Sequence, residues 1–455
     1  MFTSTNPATD KLVQTYPALT PAELEAQLES TYVAWRQWRK SSFDQRAQML
    51  RSLAALLRAQ RETHARVMSD EMGKVRAEAL AEVDKCAWVC EYYAEQGPAM
   101  LADEPVDVGM TESLITYRPI GPVLAIMPWN FPYWQALRFA APYLMAGNAV
   151  LLKHAPRTMG CAMQIQSLFA QAGLPKDVFC SLLVEEAEVP KLIADDRIAA
   201  VSMTGSEAGG RAIGQMAGRA LKKAVLELGG SDPYIILEDA DLSLAVPACV
   251  QARMLNAGQS CIAAKRFVVH QDVHAEFSEA LIEAMRARRF GDPQDPAVHL
   301  GPMARHDLRT GLHQQVQSSV EKGAKIALGG QLPQGPGSFY PPTVLLDVPT
   351  AGLPAADEEL FGPVASVIRV RDEAEAIAVA NRTRFGLGAA VFTQDLERGR
   401  RIATHEIESG ACFVNDFVRS DPRLPFGGVK ASGHGRELGL AGIRELVNVK
   451  TVCVR

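Results

Sequence analysis

The chain has 455 residues, 47% of them hydrophobic and 22% charged, and its 47 basic and 52 acidic side chains leave a net charge of −5. At roughly 100–200 residues per domain this length suits two or three domains with sizeable cores, and nothing is biased enough for a disordered chain, a collagen or a coiled coil. The slightly acidic balance lacks the electrostatic footprint of a nucleic-acid binder.

The most apolar stretch, Ala140 to Leu152, is interrupted by Pro142, Gly147 and Asn148 and falls short of the roughly 20 residues that span a bilayer. The start Met1-Phe2-Thr3-Ser4 lacks the basic and apolar runs of a secretory signal, so a cytoplasmic protein with no membrane partner is expected. The predicted elements begin with helices. Thr20-Pro21-Ala22-Glu23 joins an N-cap, a proline at the first helical position and a glutamate three residues after the cap, all suited to the free N–H groups of a first turn. Ser42-Phe43-Asp44-Gln45 repeats the capping box before Met49, Leu53, Leu56 and Leu57, whose spacing buries one helical face. The first hundred residues are thus expected to be helices covering a sheet.

From Gly121 short apolar runs alternate with helical segments: Val123 to Met127, Ala149 to Leu152, Val178 to Leu183 and Ala199 to Met203. Repeated β-α units of this length imply a parallel sheet with helices on both faces, a nucleotide-binding architecture. A second alternating series runs from about Pro233 to Asn415, with strands at Tyr234 to Leu237 and Arg266 to His270 and a helix at Val273 to Arg288. It reads as a second α/β domain. Leu446 to Arg455 alternates Val447, Val449, Thr451 and Cys453 with Asn448 and Lys450, and such a terminal strand wants a partner, for which another subunit's sheet is one candidate.

Pro128-Trp129-Asn130-Phe131-Pro132 follows the first of these strands, so Asn130 emerges at the carboxyl edge of the sheet, where an amide N–H can stabilise an oxyanion. Thr204-Gly205-Ser206-Glu207-Ala208-Gly209-Gly210 is a small-residue turn opening a helix; it either offers N–H groups to a phosphate or is only a tight helix start. Its spacing is not the usual dinucleotide fingerprint. Glu227, although 22 residues after Gly205, is therefore not assigned to a ribose; Gly229 and Gly230 leave room for something to approach its carboxylate. Asn256-Ala257-Gly258-Gln259-Ser260-Cys261 presents a cysteine after a Gly-containing loop, either as a nucleophile or as an inert buried thiol. The eight cysteines, Cys86, Cys90, Cys161, Cys180, Cys249, Cys261, Cys412 and Cys453, include no CxxC pair, which suits reduced thiols. His270 and His274 have metal-pair spacing without a third ligand nearby, so no metal is expected.

Together, Pro128-Trp129-Asn130-Phe131-Pro132, Leu152-Lys153, Thr204-Gly205-Ser206, Glu227-Leu228-Gly229-Gly230, Gly258-Gln259-Ser260-Cys261, Glu359-Leu360-Phe361-Gly362-Pro363 and Pro425-Phe426-Gly427-Gly428 resemble the aldehyde dehydrogenase superfamily, in its order and over essentially the whole chain. The resemblance implies an α/β fold with a dinucleotide-binding domain at 1–100 and 120–229, a catalytic domain at 230–430 and bridging or oligomerisation strands at 101–119 and 438–455. It implies oxidation of an aldehyde, with Cys261 as nucleophile, Asn130 and the Cys261 N–H as oxyanion hole, and Glu227 as general base for thioester hydrolysis. Lys153 and Glu359 match the family's contacts to the cofactor riboses, Ser206 its pyrophosphate contact, and Trp129, Gly205 and Phe361 its crevice lining. Pro156 stands where many NAD-dependent members carry a glutamate that repels a 2′-phosphate, so NADP is open and NAD is slightly favoured, with Arg157 a candidate to attract the phosphate. Arg138 resembles the arginine with which succinate-semialdehyde dehydrogenases hold the substrate carboxylate; Leu255 departs from a second such arginine, and Arg423 is the candidate replacement. The pattern looks most like the bacterial branch of those enzymes, expected as homodimers or homotetramers, with a broad-specificity aldehyde dehydrogenase or a catalytically silent homologue as alternatives. Glu227 argues against a CoA-acylating relative, and Ala263 leaves no second cysteine beside Cys261 for a disulfide switch.

Overall fold

Both capping boxes form in the computed structural model, which describes residues 1–455: Thr20 with Glu23 opens the helix Pro21–Trp38, and Ser42 with Gln45 opens Phe43–Ala59. Helices Arg61–Met72 and Arg76–Met100 follow. Leu50, Leu53, Leu57, Val83 and Tyr93 from these helices pack with Leu137 and Phe139 into one core beside the first sheet. Each such side chain contributes roughly 1.5–3 kcal/mol by leaving water.

The first sheet has its parallel strands in the spatial order Phe179–Ser181, Ala149–His154, Pro122–Met127, Ala200–Thr204, Lys223–Glu227. In chain order this is 3-2-1-4-5. The direction of succession reverses between Pro122–Met127 and Ala200–Thr204, and such a reversal parts the loops at the carboxyl ends of the strands into a crevice. A short strand, Gly433–His434, is not foreseen in the sequence; it pairs antiparallel with the outer strand, Gly433 opposite Glu227.

The second sheet has seven strands, in the order Lys325–Leu328, Thr343–Leu346, Val364–Val370, Ala264–His270, Asp232–Ile236, Gly388–Phe392, Ala411–Val414, parallel except for the first pair. The expected helix forms as His274–Arg286. The terminal strand, Val447–Val454, pairs along its whole length with Glu112–Pro119 of the same chain, and Glu104–Pro105 completes a three-stranded sheet. The intramolecular partner meets the need for pairing, and Val447–Val454 remains an edge strand. No helix is long and apolar enough to cross a membrane.

Candidate active site

Cys261 ends a loop whose backbone is unusual. Asn256, Ala257 and Gly258 have φ of 56°, 52° and 72°, left-handed values that cost a non-glycine residue roughly 1–3 kcal/mol each and persist only where surroundings enforce them. Here they do. The Asn256 N–H donates to Glu78 Oε2 at 3.0 Å, and its side-chain amide donates to the carbonyls of Asn130 at 2.7 Å and Gln259 at 3.1 Å. Arg253 donates to the Gly258 carbonyl at 2.7 Å, and Lys265 Nζ to those of Ser260 at 2.9 Å and Cys261 at 2.6 Å. A Cβ on Gly258 would lie 2.3 Å from the Gly362 oxygen, so only glycine fits there.

Asn130 is brought to this loop by a second set of bonds. Lys74 Nζ donates to its carbonyl at 3.0 Å and is ion-paired with Glu82. The other Glu82 oxygen accepts the N–H groups of Tyr133 and Trp134, both at 2.9 Å, and so caps the helix Pro132–Met145. Gln135 donates to Asn130 Oδ1 at 3.1 Å, which fixes the amide, and Asn130 Nδ2 donates to the Gln259 carbonyl at 3.1 Å. That is the one hydrogen bond Asn130 Nδ2 donates within the chain.

Cys261 opens into a cavity of about 340 Å³, walled by apolar groups such as Phe131, Trp134, Phe417 and Phe426 and by the charged Glu78, Glu82, Lys85, Arg138 and Arg419. Burial pushes the Cys261 thiol up to about 12, against the pull of Lys265 and Arg138. It rests as a thiol. Arg138 is buried, not solvated: it is ion-paired with Glu437, lies 4.7 Å from the Phe426 ring centre and reaches Thr204 Oγ1 at 3.4 Å. Glu227 ends its strand with both carboxylate oxygens buried and without a hydrogen-bond partner. Burial, reinforced by the neighbouring charge of Glu437, holds its carboxyl well above the ordinary carboxylate range. Arg423 lies elsewhere. Its side chain is 66% exposed, pairs with Asp421 at 2.7 Å and sits 5.5 Å from the Trp88 ring centre, outside the cavity wall.

The remaining positions singled out in the sequence gather at the carboxyl edge of the first sheet. Lys153, next to last in Ala149–His154, is buried and makes no hydrogen bond or ion pair within the chain. Burial depresses its ammonium. Ser206 caps the helix Glu207–Arg219 by accepting the Gly209 N–H at 3.2 Å, just past Gly205. Glu359 lies against Gly229, accepts the Gly230 N–H at 3.0 Å and pairs with Lys265 at 3.2 Å, while Trp129 and Phe361 meet edge to face at 5.8 Å. Pro156 opens a short turn, and Arg157 Nη1 donates at 3.1 Å to the carbonyl of Thr5, in an N-terminal hairpin of Phe2–Thr5 and Leu12–Tyr16 that the all-helical expectation for the first hundred residues did not include.

A lysine without a protein partner and a glutamate fixed over glycines, on either side of the reversal point of a parallel sheet, fit a dinucleotide with two riboses. Sequence reasoning missed Lys74, Glu78, Glu82 and Lys85. For Glu78, Glu82 and Lys85 the signal is charges at helical spacing among Ala79, Leu80, Val83 and Ala87, and Lys74 lies just ahead of the same helix.

Comparisons with known proteins give the family of the chain. A model described as the aldehyde dehydrogenase family matches residues 1–452. The chain is 47% identical over 449 residues to the succinate semialdehyde dehydrogenase (NAD(P)+) Sad of Escherichia coli, covering 99% of this chain and 97% of that protein. It is 46% identical over 452 residues to succinate-semialdehyde dehydrogenase (NADP(+)) 1 of Mycobacterium tuberculosis, covering 99% and 98%. The crystal structure of succinic semialdehyde dehydrogenase from Streptococcus pyogenes in complex with NADP+ is similar with a TM-score of 0.96 at 35% identity, with both chains fully covered.

Proposed function

The chain belongs to the aldehyde dehydrogenase family, and from that premise we propose that it oxidises succinate semialdehyde to succinate with a nicotinamide dinucleotide. One observation carries the reading: a single cavity is lined by both Cys261 and a wall bearing Arg138 and two further cations, Lys85 and Arg419. An aldehyde placed against the thiol then has its distal carboxylate among positive groups. The names of the similar proteins support the same substrate.

Cys261, once its thiol proton has passed to solvent water, adds through Sγ to the aldehyde carbon, and the oxyanion that forms is met by the Asn130 side-chain amide and the Cys261 backbone N–H. When bound, the dinucleotide supplies the acceptor for the hydride. Lys153 and Glu359 would hold its riboses and Ser206 its pyrophosphate, while Trp129, Gly205 and Phe361 would line the crevice. Glu227, in its ionised form, takes a proton from the water that hydrolyses the Cys261 thioester. We assign the first sheet to the dinucleotide and the second to the nucleophile loop.

NADP stands at least level with NAD in this proposal. Pro156 presents no carboxylate against a 2′-phosphate, and the names of both relatives include NADP; the slight preference for NAD expected from sequence has no such support. A homo-oligomer is favoured by the exposed apolar side chains of the three-stranded sheet region, Val106, Val108, Met110, Val449 and Val454. The deciding experiment measures reduced dinucleotide formation with NAD and NADP, using succinate semialdehyde and the uncharged comparator butanal. The proposal expects kcat/KM for the acid aldehyde to exceed that for butanal by at least about tenfold, the order of one charge-assisted hydrogen bond. Equal values would reduce the protein to a general aldehyde dehydrogenase.

A further inference from the structure

One buried ammonium holds the nucleophile loop without lining the cavity into which Cys261 opens. Lys265 is the second residue of Ala264–His270, the central strand of the seven-stranded sheet, and its side chain is only 1% exposed. An ammonium in such a place is costly unless each of its N–H groups finds an acceptor. Three acceptors surround it: the Ser260 carbonyl at 2.9 Å, the Cys261 carbonyl at 2.6 Å and Glu359 Oε1 at 3.2 Å.

The first two belong to the two peptide groups that flank the nucleophile. The Ser260 carbonyl shares its peptide with the Cys261 N–H, the backbone donor assigned above to the oxyanion. That N–H donates to no atom of the chain, while the carbonyl oxygen at the other end of the peptide accepts a second hydrogen bond, from the Ala263 N–H at 3.2 Å. A charged donor on a carbonyl oxygen draws electron density out of the amide nitrogen, which makes the N–H opposite a stronger donor. The bond to the Cys261 carbonyl holds the next peptide, so one ammonium anchors the nucleophile from both sides. The anchor stands on a sheet strand, a firmer support than the loop it holds.

We propose that Lys265 is a positioning residue for the oxyanion: its ammonium polarises and aims the Ser260–Cys261 peptide, so that the Cys261 N–H meets the charge that develops when Sγ adds to a carbonyl carbon. This inference rests on the covalent mechanism proposed above. Lys265 does not line the cavity, so it acts through the peptide and not by touching the substrate. It has a second effect on the same residue: burial raises the Cys261 thiol, and Lys265 is the first of the charges that pull it down.

Two reactions of Cys261, both run without dinucleotide, separate the oxyanion from the thiolate. Alkylation by iodoacetamide displaces iodide at a saturated carbon and builds no oxyanion. Acylation by p-nitrophenyl acetate builds one: the thiolate adds to the ester carbonyl, and collapse of the tetrahedral oxyanion breaks the ester C–O bond, releases p-nitrophenolate and leaves an acetyl thioester. Both reactions need the thiolate, so the ratio of acylation to alkylation rates cancels any change in its population.

The comparison takes wild type, Lys265→Met and Lys265→Arg, with Cys261→Ala as the blank and alkylation followed on the Cys261 peptide by mass spectrometry. In Lys265→Met the ratio falls about tenfold, less than the roughly 10²–10³ lost with a whole oxyanion donor, because the N–H is weakened and not removed. Lys265→Arg, which keeps the charge, recovers most of the ratio. Lys265→Gln, neutral and shorter, shows the same fall and carries the comparison if Lys265→Met does not fold. A ratio unchanged in the neutral variants, or one that falls as far in Lys265→Arg, overturns the role of Lys265. Asn130→Ala probes the mechanism beneath it, because it removes the other donor. If the ratio falls in Asn130→Ala alone, the oxyanion site stands and Lys265 has no part in it; if it falls in none of the variants, the oxyanion site beside Cys261 is itself overturned.

Discussion

At the scale of single residues, burial pushes both groups that carry the proposed chemistry towards the protonated form. The Cys261 thiol is pushed up to about 12 and the Glu227 carboxyl well above its usual range, in each case first by burial. For an acid with a raised pKa the neutral form dominates below it, so the reactive thiolate and carboxylate both grow as pH rises. In the free enzyme, alkylation of Cys261 by iodoacetamide should accelerate about tenfold per pH unit between pH 7 and 10. A flat profile would mean that the thiolate is already formed. Cys261→Ala removes oxidation altogether. Glu227→Gln should still release one equivalent of reduced dinucleotide in a burst, followed by turnover slower by about 10²-fold or more, because only thioester hydrolysis loses its base. Glu437→Gln removes the negative charge beside Glu227, so the pH dependence of thioester hydrolysis should move to lower pH.

At the scale of elements, the nucleophile loop and the Asn130 turn are held by near neighbours in sequence, Arg253, Lys265 and Gln135, and by buried partners far away in sequence, Lys74 and the Glu78 and Glu82 of the helix Arg76–Met100. Lys74→Met would leave the Glu82 carboxylate buried without its cation and release the Asn130 carbonyl, at a cost of about 3–5 kcal/mol in unfolding free energy by denaturant titration. Gly258→Ala combines a left-handed φ with a contact of 2.3 Å to a backbone oxygen. It should abolish activity while far-ultraviolet circular dichroism stays near wild type, since the disturbance is confined to one loop.

This dependence on distant partners also marks what was legible in the sequence. The capping boxes, the first parallel strands and the helix before Arg286 are written in local pattern, and they form within a few residues of where the pattern puts them. The positions of Cys261, Asn130 and Glu227 could be picked out because each lies beside a Gly-containing or Pro-rich segment, Asn130 just after a strand, Glu227 at the end of one and Cys261 after a loop. Lys85 and Glu78 could not, since a charge on a helix is ordinarily a solvated face, and only the tertiary packing turns this face towards the thiol. Arg423 shows the converse error: an arginine near a recognised motif, placed by the fold on the outside, where Asp421 neutralises it.

At the scale of the whole molecule, the exposed apolar groups near and on the three-stranded sheet set up a prediction about assembly. Val449→Asp combined with Val454→Asp, on the outer strand Val447–Val454, should shift the species seen by light scattering to a smaller one, with secondary structure kept. The same region governs when the enzyme becomes functional during its synthesis. The strand that ends in Glu227 is completed by Gly433–His434, and Glu112–Pro119 by Val447–Val454. A ribosome that has already released Cys261 and both halves of the dinucleotide crevice is still carrying a chain with two open strand edges and without Glu437. Such nascent chains are adhesive to one another, so this protein is expected to lean on chaperones late in translation, and to switch on only when its last strands have been laid against Lys223–Glu227 and Glu112–Pro119.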